Sequence, residues 1–273
     1  MCRVLSINHS TYRKSIAHTM SNTEKFNHKL DCAIRVIHLD SKGRYGAPKI
    51  HEILKKQVEF AKVSIKHVQH RMSIMGIKSI VVKKFRPVCK SSGVKEKDNV
   101  LNQDFTATKP NQKYCTDITY VYTKQDGWTY LAEVIDLYSR KIVGWSYSKT
   151  MTAEMALDAL KHATMHLKDL SGIIVQTVLG TQYTSELFEK YLLKHGMIHS
   201  YSHKHYPYDN SPIESFHAIL KKEEVRPNNI YETYEEGKTK LFEFIEGWYN
   251  NKRIHSAINY KTPNEVYYGK SVA

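Results

Sequence analysis

Two acids stand out by where they sit. Asp117 interrupts the β-prone run from Tyr114 to Thr123. Strands disfavour Asp, so packing explains it poorly and a metal-binding carboxylate explains it well. Glu214 opens the helix-prone run from Ser211 to Val225. Alone, it is equally an early-helix acid favoured by the helix dipole. Lys221 follows Glu214 by seven residues, close to two helical turns, so both share one helix face. It is a cation for a phosphate or a plain solvated lysine. Asp209 suits a turn or helix cap better than a metal, and Asp136 suits a strand end. His199, His203 and His205 alternate along one strand edge. That spacing fits a metal set, but DNA contact or simple exposure fits it better.

The elements that must position these groups change character along the chain. Residues 1–86 read mostly as helix. Pro48 starts a helix over 48–57, Glu59–Val63 turns, and Ser64 caps a second helix over 65–75 that Gly76 closes. Val68, Met72 and Met75 give it an apolar stripe. Helix, short turn and helix is a helix-turn-helix pattern, and Lys66, His67, His70 and Arg71 on the second helix would face DNA. A small bundle with a solvated basic face has the same pattern. A charged, turn-rich linker follows at 87–110.

From 111 to 273 the period becomes that of strands and helices. Strands are predicted at 114–123, 128–138, 141–148, 173–175 and 197–202, and the turn Gln125-Asp126-Gly127 closes a hairpin. Helices are predicted at 152–167, 185–195, 211–225 and 233–249. The order β-β-β-α-β-α-β-α predicts an α/β domain with a mixed five-stranded sheet and flanking helices.

Composition narrows the partners. A chain of 273 residues suggests roughly two domains, and 41% hydrophobic residues exclude wholesale disorder. Lys and Arg number 41 against 27 Asp and Glu, a net charge of +14. That excess points to a polyanion, with DNA or RNA first. Cys2, Cys32, Cys89 and Cys115 are dispersed, which argues against a zinc ribbon or redox pair and fits a reducing cytosol. No apolar run approaches the roughly 20 residues of a membrane span.

The β-β-β-α-β-α-β-α order is that of ribonuclease-H-like domains. The segments around Asp117, Trp128–Ala132, Asp136–Trp145, Gly180–Ser185, Tyr208–Phe216, Lys221–Glu223 and Trp248–Ser256 resemble bacterial insertion-sequence transposases. The resemblance is to the OrfB type, with a D-D-E integrase core related to retroviral integrases. Gly43–Ile50 resembles that group's helix-turn-helix segment, and the likeness spans about residues 30–273.

The resemblance implies metal-dependent cleavage and strand transfer of DNA by a ribonuclease-H-like integrase core. Two ions, Mg²⁺ or Mn²⁺, would activate the attacking oxygen and stabilise the leaving one. Asp117 would bridge both, Glu214 would complete one site, and an acid at 178 the other. The family reads His-Ser-Asp-x-Gly here; this chain reads Gln176-Thr177-Val178-Leu179-Gly180. Glu214 lies 36 positions after 178, the family's interval, so only the chemistry has changed. Ion binding would be weakened and activity impaired. Implied partners are element-end and target DNA, further copies of the chain on that DNA, and an upstream-frame OrfA product. No membrane is implied, and the expected setting is the bacterial cytoplasm at the nucleoid. The alternative is a non-catalytic DNA-binding remnant or regulator of element ends. A structural RNA-binding role is weaker, because it needs aromatics gathered on an exposed sheet, and the tyrosines read as spread through the chain.

Overall fold

The computed structural model describes residues 2, 4, 6–16, 20–81, 98–203, 206–227 and 230–269, with the side chains of 14, 15 and 207 excluded. Two expectations fall partly outside this set: His205, and positions 87–97 of the linker. The chain forms two compact units, Met1–Ile80 and Val81–Ala273.

The first unit is helical. It contains α1 (His9–Ile16), α2 (Asn22–Asp40), α3 (Ala47–Leu54) and α4 (Ile65–Ile74). Ser21 and Glu24 form a reciprocal capping box on α2. Ser64 caps α4 by accepting from the N–H of His67. Leu30, Ile34, Ile50, Leu54 and Val68 are fully buried. The helices therefore close a core of their own.

The second unit is built on one five-stranded sheet. Its strands are β1 (Lys113–Thr123), β2 (Gly127–Asp136), β3 (Ile142–Ser148), β4 (Ile174–Thr177) and β5 (Ile198–Tyr201), in the order β3-β2-β1-β4-β5. β1, β2 and β3 are antiparallel neighbours, while β4 joins β1, and β5 joins β4, in parallel. Gly127 has a φ of +73°, the left-handed conformation that closes the β1–β2 hairpin.

One face of the sheet carries α5 (Ala153–Thr164) and α6 (Glu186–Lys194) over a core of Tyr114, Ala132, Val134, Leu160, Val175 and Phe188. Gly144 on β3 is required there, since a Cβ would lie 2.2 Å from the Ala159 carbonyl oxygen of α5. The other face carries α7 (Ser211–Leu220), which packs on β1 and β2. α7 continues into π-helical turns at Lys221–Val225, and α8 (Tyr234–Phe242) continues likewise through Glu243–Asn250. α9 (Pro263–Tyr268) follows.

The tyrosines are less scattered than the sequence suggested. Tyr120, Tyr122, Trp128 and Tyr130 gather at the far end of the β1–β2 hairpin, with ring centroids 5.1–6.2 Å apart. Strand pairing explains this, because register opposes Tyr120 to Tyr130 and Tyr122 to Trp128. No helix among the described residues is long and apolar enough to cross a membrane.

Candidate active site

Register sets the first pair of groups: Asp117 on β1 lies directly opposite Glu133 on β2. Both face α7. Pro212 lies in the first turn of α7, where its missing N–H costs nothing. Helical spacing then turns Ile213, Phe216 and Leu220 into the core and leaves Glu214 exposed. His217 stands one turn beyond Glu214 and reaches back to the sheet. Its Nε2 lies 3.0 Å from Glu133 Oε2, and its Nδ1 lies 3.9 Å from Asp117 Oδ2.

The three groups differ in what surrounds them. The side chain of Asp117 is 21% exposed, that of His217 11%, and that of Glu133 not at all. Asp117 Oδ1 accepts from the N–H of Ile118 at 2.8 Å. Glu133 Oε1 is buried and has no hydrogen-bond partner among the described residues.

Charge couples them. Burial raises the Asp117 pKa, against the opposing pull of His217 and Lys221. Burial likewise raises that of Glu133, again opposed by His217. Burial alone would lower the His217 pKa, but the Glu133 and Asp117 carboxylates overcome it and raise it. Lys221, half-buried at the end of α7, adds positive potential at both acids.

Val178 lies one residue past β4 and packs half-buried against the core cluster of Tyr183 and Phe188. Asp209 is organised by the fold. It accepts from Gln103 Nε2 at 2.7 Å, Asn99 Nδ2 at 2.9 Å and the His203 N–H at 2.8 Å. Asp136 closes the end of β2 by accepting from the N–H groups of Asn111 and Ser139. His199 sits 3.0 Å from Thr177 Oγ1 and 3.3 Å from Glu189 Oε2. No three His, Cys, Asp or Glu side chains among the described residues gather closely enough to hold a metal ion.

In the helical unit the four basic residues of α4 divide. Lys66 and His70 are exposed. His67 Nε2 lies 3.0 Å from Asn27 Oδ1, and Arg71 donates two bonds to Asp31, at 2.8 and 2.5 Å. These two tie α4 to α2.

Sequence reading missed Glu133 and His217. A signal existed for Glu133, the lone charge within Leu131–Ile135, a stretch otherwise apolar. Nothing in the spacing of His217 identified it.

The donor chemistry suits a hard divalent cation. Asp117 on β1 and Glu133 on β2 bring two carboxylates together, and Glu133 keeps an unpartnered buried oxygen.

The mixed five-stranded sheet with its flanking helices and the helical first unit define an integrase-core protein with an appended helical unit. Comparison with known proteins agrees. The Integrase core domain model matches residues 107–207, a second Integrase core domain model matches 195–263, and the HTH-like domain model matches 25–85. Transposase InsF of insertion sequence IS3A from Escherichia coli K12 is 37% identical over 259 residues, 94% of this chain and 88% of the relative. The transposase of element IS904 from Lactococcus lactis is 36% identical over 85% of this chain and 90% of its own. Among solved structures, the HTLV-2 integrase catalytic core domain in complex with magnesium is 17% identical. It covers 59% of this chain and 99% of its own, at a TM-score of 0.43. The chain belongs to the IS3 family of insertion-sequence transposases.

Proposed function

We propose that this chain binds insertion-sequence ends and carries a cleavage-and-joining centre that is impaired at one ligand. The observation that supports this is the placement of three positions. Asp117 and Glu214 lie on β1 and α7, which pack together, while a valine packs into the core at 178. Divalent ions, when bound, activate the attacking oxygen and stabilise the leaving one. Asp117 and Glu214 are the residues that would hold them. Val178 offers no oxygen, so the centre would have one carboxylate fewer with which to hold an ion. Lys221 adds positive potential at the acids and suits a DNA phosphate.

The DNA-binding region is residues 1–86, the linker 87–110 and the catalytic core 111–273. Lys66 and His70 contact the duplex directly. His67 and Arg71 act by holding α4 on α2. Copies of the chain assemble on the DNA, with an upstream-frame OrfA product as a further partner.

The test is joining of labelled element-end DNA in Mg²⁺ or Mn²⁺ by the parent and Val178→Asp side by side. A carboxylate returned to the site raises the rate at least about 100-fold, equivalent to roughly 2.7 kcal/mol of barrier. Equal rates would remove Val178 as the lesion.

A second reading, a regulator that occupies ends without cutting them, draws on the separate core around Leu30, Ile50 and Val68. Exposed Lys66 and His70 belong to that unit and not to the acids. Salt-sensitive binding to element ends, with no cleavage by parent or variant, favours it.

A further inference from the structure

We propose that Glu133 supplies a second carboxylate beside Asp117, so that one divalent cation binds between Asp117 and Glu133 where the His217 ring now stands. This rests on the reading of Asp117 as a metal ligand.

The first argument is the orphaned oxygen. Glu133 is wholly buried, yet only Oε2 is bonded, to His217. Its Oε1 is the one carboxylate oxygen among the described residues that is buried without a partner. Buried polar atoms are nearly always satisfied, and an exception calls for a ligand or a water.

The second argument is charge. Directly opposed residues on antiparallel strands have Cβ atoms roughly 4.5–5.5 Å apart, and like charges there repel. Asp117 and Glu133 are such a pair. The His217 ring reaches both, with Nε2 3.0 Å from Glu133 Oε2 and Nδ1 3.9 Å from Asp117 Oδ2. A divalent cation is a ligand that two opposed carboxylates can share.

The third argument is the contrast with other buried acids. Asp136 and Asp209 are each saturated by fold-building donors. Glu133 instead sits amid the buried apolar residues Leu131, Ala132, Val134 and Ile135, next to the one strand acid that is open to solvent. Asp117 and Glu133 together are oxygen ligands of the kind Mg²⁺ and Mn²⁺ take. The His217 ring lies against both carboxylates.

The measurement is Mn²⁺ binding to the full chain, by calorimetry and by loss of the free-ion electron paramagnetic resonance signal. Circular dichroism of each variant serves as the fold control. The parent takes up one Mn²⁺. Glu133→Gln weakens it at least about tenfold, equivalent to about 1.4 kcal/mol. His217→Gln, which leaves both acids in place and removes the bridging ring, tightens it. Unchanged affinity in Glu133→Gln, weaker binding in His217→Gln, or no binding by the parent would each overturn the proposal. An unchanged Glu133→Gln would mean that Oε1 takes only a water. The outcome is separable from that of the joining assay. Val178→Asp can gain activity while Glu133→Gln leaves Mn²⁺ untouched, and then only this inference falls. If Glu133→Gln loses Mn²⁺ but Val178→Asp gains no activity, only the account of the impairment falls.

Discussion

Two buried glutamates in the second unit have opposite surroundings. Glu223, in the π-helical turns after α7, receives Arg253 through Nε and Nη2 at 2.8–3.1 Å and Trp248 Nε1 at 3.2 Å. Both of its oxygens are used. Glu133, on β2 of the sheet, has one bond and one oxygen without a partner among the described residues. The first arrangement locks the C-terminal segment to α7. The second leaves capacity for something else. Saturation thus separates acids whose oxygens are all used within the fold from one that leaves an oxygen without a partner.

Removing Arg253 should produce the largest effect on stability. Arg253→Met strands the Glu223 charge, and loss of one partner of a buried pair costs about 3–5 kcal/mol. Urea denaturation measures it. Glu133→Gln in the same assay, without metal, should cost less than half as much, because glutamine still accepts from His217 and carries no charge. Equal losses would erase the distinction.

Asp209 offers an intermediate case with a pH signature. Burial works to raise its pKa, but bonds from Gln103 and His203 prevail and hold it below the ordinary aspartate value. Its stabilising contribution is therefore full above about pH 4, near the unfolded value, and is lost as pH falls through the lowered folded value. Asp209→Asn should flatten that acid limb of a thermal-denaturation profile. An unchanged limb would mean that Asp209 is not among the saturated acids. Glu133 has the opposite sign. Its raised pKa makes ionisation at neutral pH unfavourable to folding.

The smallest stability effect belongs to an exposed group. Lys66→Ala should leave the denaturation midpoint within about 0.5 kcal/mol of the parent. It should also lower the salt slope of DNA binding by about 1. A changed midpoint with an unchanged slope would place Lys66 with Arg71 as a fold-holding residue.

Much of this arrangement was legible in the sequence, for identifiable reasons. Local signals announced the element order: Gln125-Asp126-Gly127 for the hairpin, Ser64 and Gly76 for the limits of α4, Pro212 for the start of α7. Each acts over a few residues, where backbone chemistry decides. Asp117 was found because its type contradicts its strand. Partners set by tertiary contact were hidden. Which side of α4 meets α2 decides that Arg71 pairs with Asp31, and helical period alone left Arg71 beside the apolar stripe with either orientation open. Glu133 meets Asp117 only through strand register, and His217 meets both only through the docking of α7. The continuation of α7 and α8 as π-helical turns has no counterpart in the residue pattern.

The sheet order also bears on when the acidic corner becomes electrically quiet. Asp117 and Glu133 meet through a hairpin, a short loop that closes in microseconds. His217 lies some 80 residues further along. β4, whose parallel ladder with β1 spans Lys113–Cys115 and Ile174–Gln176, also joins across a long loop. Non-local pairings of that kind form slowly. During synthesis from the N-terminus the two carboxylates thus face each other before the imidazole that bridges them has left the ribosome. In that interval the hairpin carries two opposed carboxylates without the ring that later lies against both.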